Sequence, residues 1–335
     1  MFRPDEKVLR FIKKNPDRAA IKLVRNDTVL AERNPYKMMP LASTVKIIVA
    51  IEYAAQAARG QIDSDERVSL AELEKFYVPN TDGGAHPAWL ESVADKIQDH
   101  QITIREIAKG MISYSSNANT EWLCEKLGLD NINARLDSLD VKRHTKIHYL
   151  VSALFVGKEK FPHLHGKALE TALRAMPEEA YIQATVEIHA KLKQDTSYKK
   201  KVGDLSLRIQ KVWSDRLPRS TVAEYVGIMR KINSRTYFDA HTQHYLDDVM
   251  EYPLKNPANQ RWLAHAGMKG GSTAFVLTKA LYATDKKGNK TELAYFINDL
   301  SFLENLYLQM SMNQFELKIL TSPSFREKVR KSLME

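Results

Sequence analysis

Residues 43–59, STVKIIVAIEYAAQAAR, are apolar on nearly every face of a helix and run straight into Gly60. A helix of that kind has no side to offer water, so it belongs at the centre of the fold, with the glycine as its stop. Lys46 sits inside this run. Val45, Ile47, Ile48, Val49 and Ile51 leave it no solvent-facing stripe, and an unpaired buried lysine is costly enough to suggest a chemical task. Ser43 lies three residues earlier, on the same helical face. Burial and the positive end of the helix dipole both disfavour an ammonium there, so Lys46 is expected to accept a proton and activate the Ser43 hydroxyl. The bare pattern Ser-x-x-Lys is common, and Ser197 to Lys200 is a second instance that a serine cap followed by a surface lysine explains. The apolar setting singles out Ser43.

Around this helix the pattern changes twice. A short basic helix is expected first, and Ala19 to Asn34 (AAIKLVRNDTVLAERN) has two β-rich stretches around an Asn26-Asp27 turn, which predicts a hairpin. Helical spacing then dominates from about Leu70 to about Leu254, as in HQITIREIAKGMISY and TVAEYVGIMRKI. The last third returns to strands: RWLAHAGMKGG, STAFVLTKALYATD and TELAYFINDLS, with a turn at Asp285-Lys286-Lys287-Gly288-Asn289 and a terminal helix from about Pro323. Sheet, helical block and sheet again imply a helical domain inserted into an α/β domain. The expected ranges are 1–39 and 255–335 for the sheet domain and 40–254 for the helical one.

Two further short patterns lie on these elements. Ser115-Ser116-Asn117 follows the apolar stretch Ile107 to Tyr114; Ser and Asn are also the ordinary residues of a polar turn, and Ser311-Met312-Asn313 repeats the loose pattern. Lys269-Gly270-Gly271-Ser272 falls on a strand predicted from Arg261, where paired glycines let a backbone or ligand come close, as a β-bulge or bend would also require. Ser-x-x-Lys, Ser-x-Asn and Lys-x-Gly, in that order and in those settings, resemble the class A β-lactamases and related penicillin-binding serine hydrolases. Met39-Pro40-Leu41-Ala42, Arg59-Gly60-Gln61-Ile62-Asp63 and Asn119-Thr120-Glu121-Trp122-Leu123 add to the resemblance, which covers roughly residues 5–140 and 215–335.

The resemblance implies a β-lactamase-like fold, a mixed sheet flanked by helices with the site at the seam of the two domains. It also implies roles. Ser43 would be the acylated nucleophile and Lys46 its base, with Ser115 relaying a proton to the leaving nitrogen. Asn117 would hold a substrate amide, Lys269 would supply positive charge near Ser115 and toward a substrate carboxylate, and the N–H groups of Ser43 and Ser272 would form the oxyanion hole beside Gly271. Two departures from the family pattern stand out. Gly270 replaces the usual hydroxyl residue, a loss that Ser272 or Lys279 could offset. Residues 141–215 form a divergent, helical insertion in place of the loop whose glutamate activates the deacylating water. Glu179 and Glu170 are its nearest imitations, and both read as exposed helix glutamates.

Composition sets the remaining bounds. A chain of 335 residues, 44% hydrophobic and 27% charged, is ordinary for a globular protein. Its one cysteine, Cys124, excludes an internal disulfide and a thiolate metal cluster. The net charge of +9 favours anionic partners without choosing among them; the resemblance implies a small-molecule or peptide substrate, and the densest run, Tyr198-Lys199-Lys200-Lys201, lacks the framing of a nucleic-acid site. His144 and His148 lie four apart, but Thr145 stands where a zinc-protease motif needs glutamate, and His163 and His165 have no acidic partner at ligand spacing. No metal or organic cofactor is expected. No stretch approaches the ~20 apolar residues of a membrane span, and the charged start predicts a cytoplasmic protein, although a trimmed chain would lack a secretion signal in the same way. Beside the acyl-transfer hydrolase stand two rivals: a cytosolic esterase or peptidase inactive on β-lactams, and a penicillin-binding sensor that does not turn over.

Overall fold

Side-chain alternation builds the sheet, and both of its faces are buried. In the computed structural model, which describes residues 4–334, β1 (Ala19–Arg25) and β2 (Thr28–Arg33) form the expected hairpin. Asn26 and Asp27, at φ 48° and 64°, make the turn; both residue types tolerate the left-handed region, and its twist suits a hairpin. The last third supplies β3 (Leu263–Ser272), β4 (Leu277–Asp285) and β5 (Lys290–Ile297). Residues 1–3 and 335, at the outer ends of the two expected sheet segments, lie outside the described residues.

The strand order is β2-β1-β5-β4-β3, and every neighbouring pair is antiparallel. The expected α/β architecture is present, but its sheet is antiparallel throughout where a mixed one was expected. Chain connection explains the difference. β3, β4 and β5 follow one another through residues 273–276 and 286–289, too short for the crossover a parallel pair needs.

Ile21, Leu23, Leu293 and Tyr295 turn toward helices Lys7–Lys14, Phe302–Thr321 and Pro323–Met334. Ala20, Ala280, Tyr282, Ala294 and Phe296 turn the other way, where helix Val222–Ser234 lies on β4 and β5. Each large side chain buried in this way contributes about 1.5–3 kcal/mol, so both faces are worth covering and the strands read as nearly continuous apolar runs.

The central helix spans Lys46–Ala58, preceded by a 3-10 turn over Ala42–Val45, and every residue from Lys46 to Ala57 is buried. Helix Ala240–Met250 packs along it, and Gly60, at φ 66°, follows its end. The divergent middle carries helices Gly166–Ala175 and Glu178–Gln194, separated at Pro177, and then Leu207–Asp215. Buried Glu121 anchors its start by accepting from Val151 N–H (2.9 Å) and Ser152 N–H (3.0 Å). At its end the chain pairs Arg219–Ser220 with Met39–Pro40, just ahead of the central helix. Among the described residues no helix is long and apolar enough to cross a membrane.

Candidate active site

Ser43 lies in the 3-10 turn, directly after Ala42, whose φ is 45°. A non-glycine residue held in that region costs about 1–3 kcal/mol and persists only where its surroundings fix it. Here they do. Leu41 N–H donates to Pro218 O at 2.9 Å, the Thr278 hydroxyl donates to Leu41 O at 2.8 Å, and the Thr44 and Thr278 hydroxyls meet at 2.7 Å.

Lys46 is fully buried, and its ammonium nitrogen donates to Ser115 O (2.7 Å) and Asn117 Oδ1 (2.8 Å), with Ser115 Oγ at 3.3 Å. Burial pushes its pKa from 10.5 down to about 7, against smaller raising influences from Asp82, Cys124 and Glu121. A neutral amine has two N–H groups and one lone pair. The two short contacts use the N–H groups, and the lone pair remains to accept a proton. The expected pairing of Lys46 with the Ser43 hydroxyl is absent: no hydrogen bond joins them among the described residues. Ser115 and Asn117 offer the amine its acceptors instead.

Ser115 and Asn117 come from the turn between helices Ile104–Ser113 and Asn117–Leu127, with Ser115 at φ 70°. Ser116 caps the second helix: its Oγ accepts from Asn119 N–H at 3.2 Å. The same oxygen lies 2.8 Å from His86 Nδ1, and His86 Nε2 lies 3.3 Å from Glu74 Oε1. His86 is buried, and its hydrogen bond holds the Glu74 carboxyl below the usual carboxylate range, against burial, which acts the other way. This carboxylate–imidazole–hydroxyl chain braces the turn that carries Ser115 and Asn117. Sequence reasoning missed it, because Glu74 and His86 belong to no motif and meet only through tertiary structure.

β3 passes the Ser43 turn at close range. A Cβ on Gly271 would stand 2.5 Å from Ser43 N and 2.7 Å from both Leu41 O and Thr278 Oγ1, so only glycine lets the strand lie there undistorted. That approach sets the Ser43 N–H beside the strand that ends in Ser272. Lys269 is buried and outside the lining of the cleft. Its nitrogen donates to Gly270 O at 3.0 Å, and burial, followed by repulsion from Lys46 and Lys279, drives its pKa well below the lysine range. The expected charge beside Ser115 is therefore not delivered by a hydrogen bond from Lys269, whose side chain is taken up by its neighbour's carbonyl. Lys279, opposite Gly270 in register, is the lysine that lines the cleft; its nitrogen is 3.6 Å from buried Glu316 and would lie 3.5 Å from a Cβ at Gly270.

These parts line a cleft of about 770 Å³ that includes Ser43, Ser115, Asn117, Gly271 and Ser272. Leu150 and Trp213, from the divergent middle, form another wall together with Thr81–Ala85. Asp82 is the cleft's one carboxylate among the described residues. Its oxygens accept from Gly84 N–H (3.1 Å) and His86 N–H (3.0 Å), so it serves the turn; the Asp82-Gly83-Gly84 run signals a turn but not its place in the cleft. Glu170 and Glu179 lie outside the lining, as surface glutamates: Glu170 pairs with Arg174 (3.1 Å) and Arg208 (2.7 Å), and exposed Glu179 with Lys146 (2.8 Å).

His144 and His148 occupy a non-helical segment and so share no helix face. Both are pushed down to about 4 by burial, whereas His163 and His165 are exposed. Among the described residues no group of three or more His, Cys, Asp or Glu side chains is placed to hold a metal ion.

Comparison with known proteins adds the family. The model of the beta-lactamase enzyme family matches residues 3–253, and no curated protein sequence matches the chain. Among solved structures, a class A beta-lactamase from Bacteroides cellulosilyticus is similar at 18% identity and TM-score 0.53, covering 94% of this chain and 98% of that one. A beta-lactamase from Sphaerobacter thermophilus is similar at 14% identity and TM-score 0.58, covering 95% and 96%. A variant of PBP-A, solved as an acyl-enzyme complex with penicillin G, is similar at 13% identity and TM-score 0.54, covering 94% and 95%.

Proposed function

Because the chain belongs to the beta-lactamase enzyme family, we propose that it is a serine hydrolase forming an acyl-enzyme at Ser43 from an amide, β-lactam or ester of a small, anionic substrate. One observation carries this reading: a fully buried Lys46, ionising near 7, whose two short hydrogen bonds to Ser115 and Asn117 leave its lone pair free behind the cleft that Ser43, Ser115 and Asn117 line. Lys46 takes the proton from the Ser43 hydroxyl as its oxygen attacks the substrate carbonyl. The N–H groups of Ser43 and Ser272 hold the carbonyl oxygen as it becomes an anion. Ser115, 3.3 Å from the Lys46 nitrogen, passes the proton on to the leaving nitrogen, and the carbon–nitrogen bond breaks to leave an ester on Ser43. Asn117 orients a substrate amide, and Lys279 supplies the cation that faces a substrate carboxylate across Gly270.

Water then frees the acyl group, and here the cleft offers little help. Asp82 is engaged by two backbone N–H groups, and neither Glu170 nor Glu179 reaches the cleft. General-base assistance is worth about 10² to 10⁴ in rate, so the acyl-enzyme should accumulate. That supports a second reading, a sensor that is acylated and stays so. Pre-steady-state hydrolysis of a chromogenic cephalosporin tests both. A burst of one equivalent followed by slow turnover is expected; a burst with no turnover leaves the sensor, and rapid turnover without a burst contradicts the sensor and the accumulation of acyl-enzyme.

A further inference from the structure

A second cleft, of about 390 Å³, opens where the divergent middle meets the segment returning to the sheet, and it touches the acylation cleft only at Leu217, which lines both. Three arginines line it, and they are not alike. Arg174 is neutralised by Glu170 and Asp215, each at 3.1 Å. Arg216 and Arg219 have no carboxylate partner among the described residues. Arg216 is nevertheless held in place. Its guanidinium lies 4.8 Å from the Tyr181 ring centroid, and one terminal nitrogen donates to Arg174 O (3.1 Å) and Met176 O. Burial lowers its pKa, against smaller raising influences from Tyr181 and Glu178.

His148 lines the same cleft at 4% exposure, and neither ring nitrogen reaches a hydrogen-bond partner. The Lys146 carbonyl influences the ring but stands outside hydrogen-bond geometry. Burial keeps the imidazole neutral at neutral pH, so it has one N–H to donate. An orphaned buried donor of this kind costs about 1–3 kcal/mol, and both ring nitrogens are shut off from the open cleft by their surroundings. The first turn of helix Glu178–Gln194 also borders the cleft, through Glu178 and Tyr181, and no side chain caps it. Against the two unpaired arginines stands one exposed carboxylate without an ion pair, Glu178, so the local balance is positive.

We propose that this cleft is a second binding site that takes the carboxylate or phosphate group of a small molecule, gripped by Arg216 and Arg219. A guanidinium fixed at one edge presents its remaining N–H groups without further loss of side-chain freedom, which suits a planar or tetrahedral oxyanion. The site stands apart from Ser43 and does not depend on acylation there.

Calorimetric titration of the whole protein at neutral pH, with inorganic phosphate and separately with succinate, tests it. Saturable binding of one equivalent of either is expected, unchanged in S43A and weakened about tenfold or more in R216Q and R219Q. Arg219 is exposed, so R219Q decides the matter if R216Q does not fold. Absence of saturable binding for both probes overturns the proposal. So does affinity that survives both substitutions, or is lost in S43A.

Discussion

Near neutral pH a lysine ionising at about 7 is divided between its two forms, and only the neutral one can take a proton from Ser43. The acylation rate should therefore rise about tenfold per pH unit below 7 and level off above it, as read by stopped-flow with an activated ester. A profile that stays flat from pH 5 to 9 would remove Lys46 from the role. The same shift has a stability consequence. The folded-state pKa lies below the unfolded value of 10.5, so between about 7 and 10.5 the unfolded chain binds more protons and stability rises with pH. Lys46→Met should lose that rise, and it should abolish acylation while the far-UV spectrum is kept. Ser43, Lys46, Ser115 and Asn117 were all legible in the sequence, because each belongs to a short local pattern. Their mutual geometry was not: the partner of Lys46 proved to be the Ser115–Asn117 turn, about seventy residues away, and no local spacing encodes that.

Two elements decide whether these side chains can work together. β3 reaches the Ser43 turn only because Gly271 has no Cβ, and what an added methyl would strike is the backbone of Ser43 and Leu41. Gly271→Ala should shift the strand from the turn and cost about 10² to 10³ in acylation rate, the usual effect of losing one oxyanion donor, with the fold retained by circular dichroism. Acylation at the wild-type rate would mean that the strand's approach is not needed. The second element is the pair of helices in the divergent middle. Glu170 and Glu179 sit on their outer surfaces in ion pairs worth little, so Glu170→Gln and Glu179→Gln should each leave burst and turnover within about twofold. Loss of turnover in Glu179→Gln would instead identify that residue as the water-activating base. The helical character of this insertion was readable from sequence, whereas its break at Pro177 was not anticipated and the Glu74–His86–Ser116 brace depends on a meeting of distant segments.

At the scale of the whole molecule, one buried helix stands between a two-faced sheet and a helical layer, and the acylation cleft opens at its N-terminal end. The order of sheet, helices and sheet was legible from hydrophobic period and turn chemistry, down to the hairpin at Asn26-Asp27. Strand direction was not, because period 2 is the same in parallel and antiparallel strands; the short connections after β3 and β4 carried the answer. Most of the account rests on a single covalent event at the mouth of that cleft. Intact-mass measurement after exposure to a fluorescent penicillin, followed by peptide mapping, reads it directly. The account predicts one adduct per chain, on the peptide containing Ser43, and none in Ser43→Ala. An adduct that persists in Ser43→Ala, or a wild-type protein that gains no mass from either the penicillin or an activated ester, would contradict it.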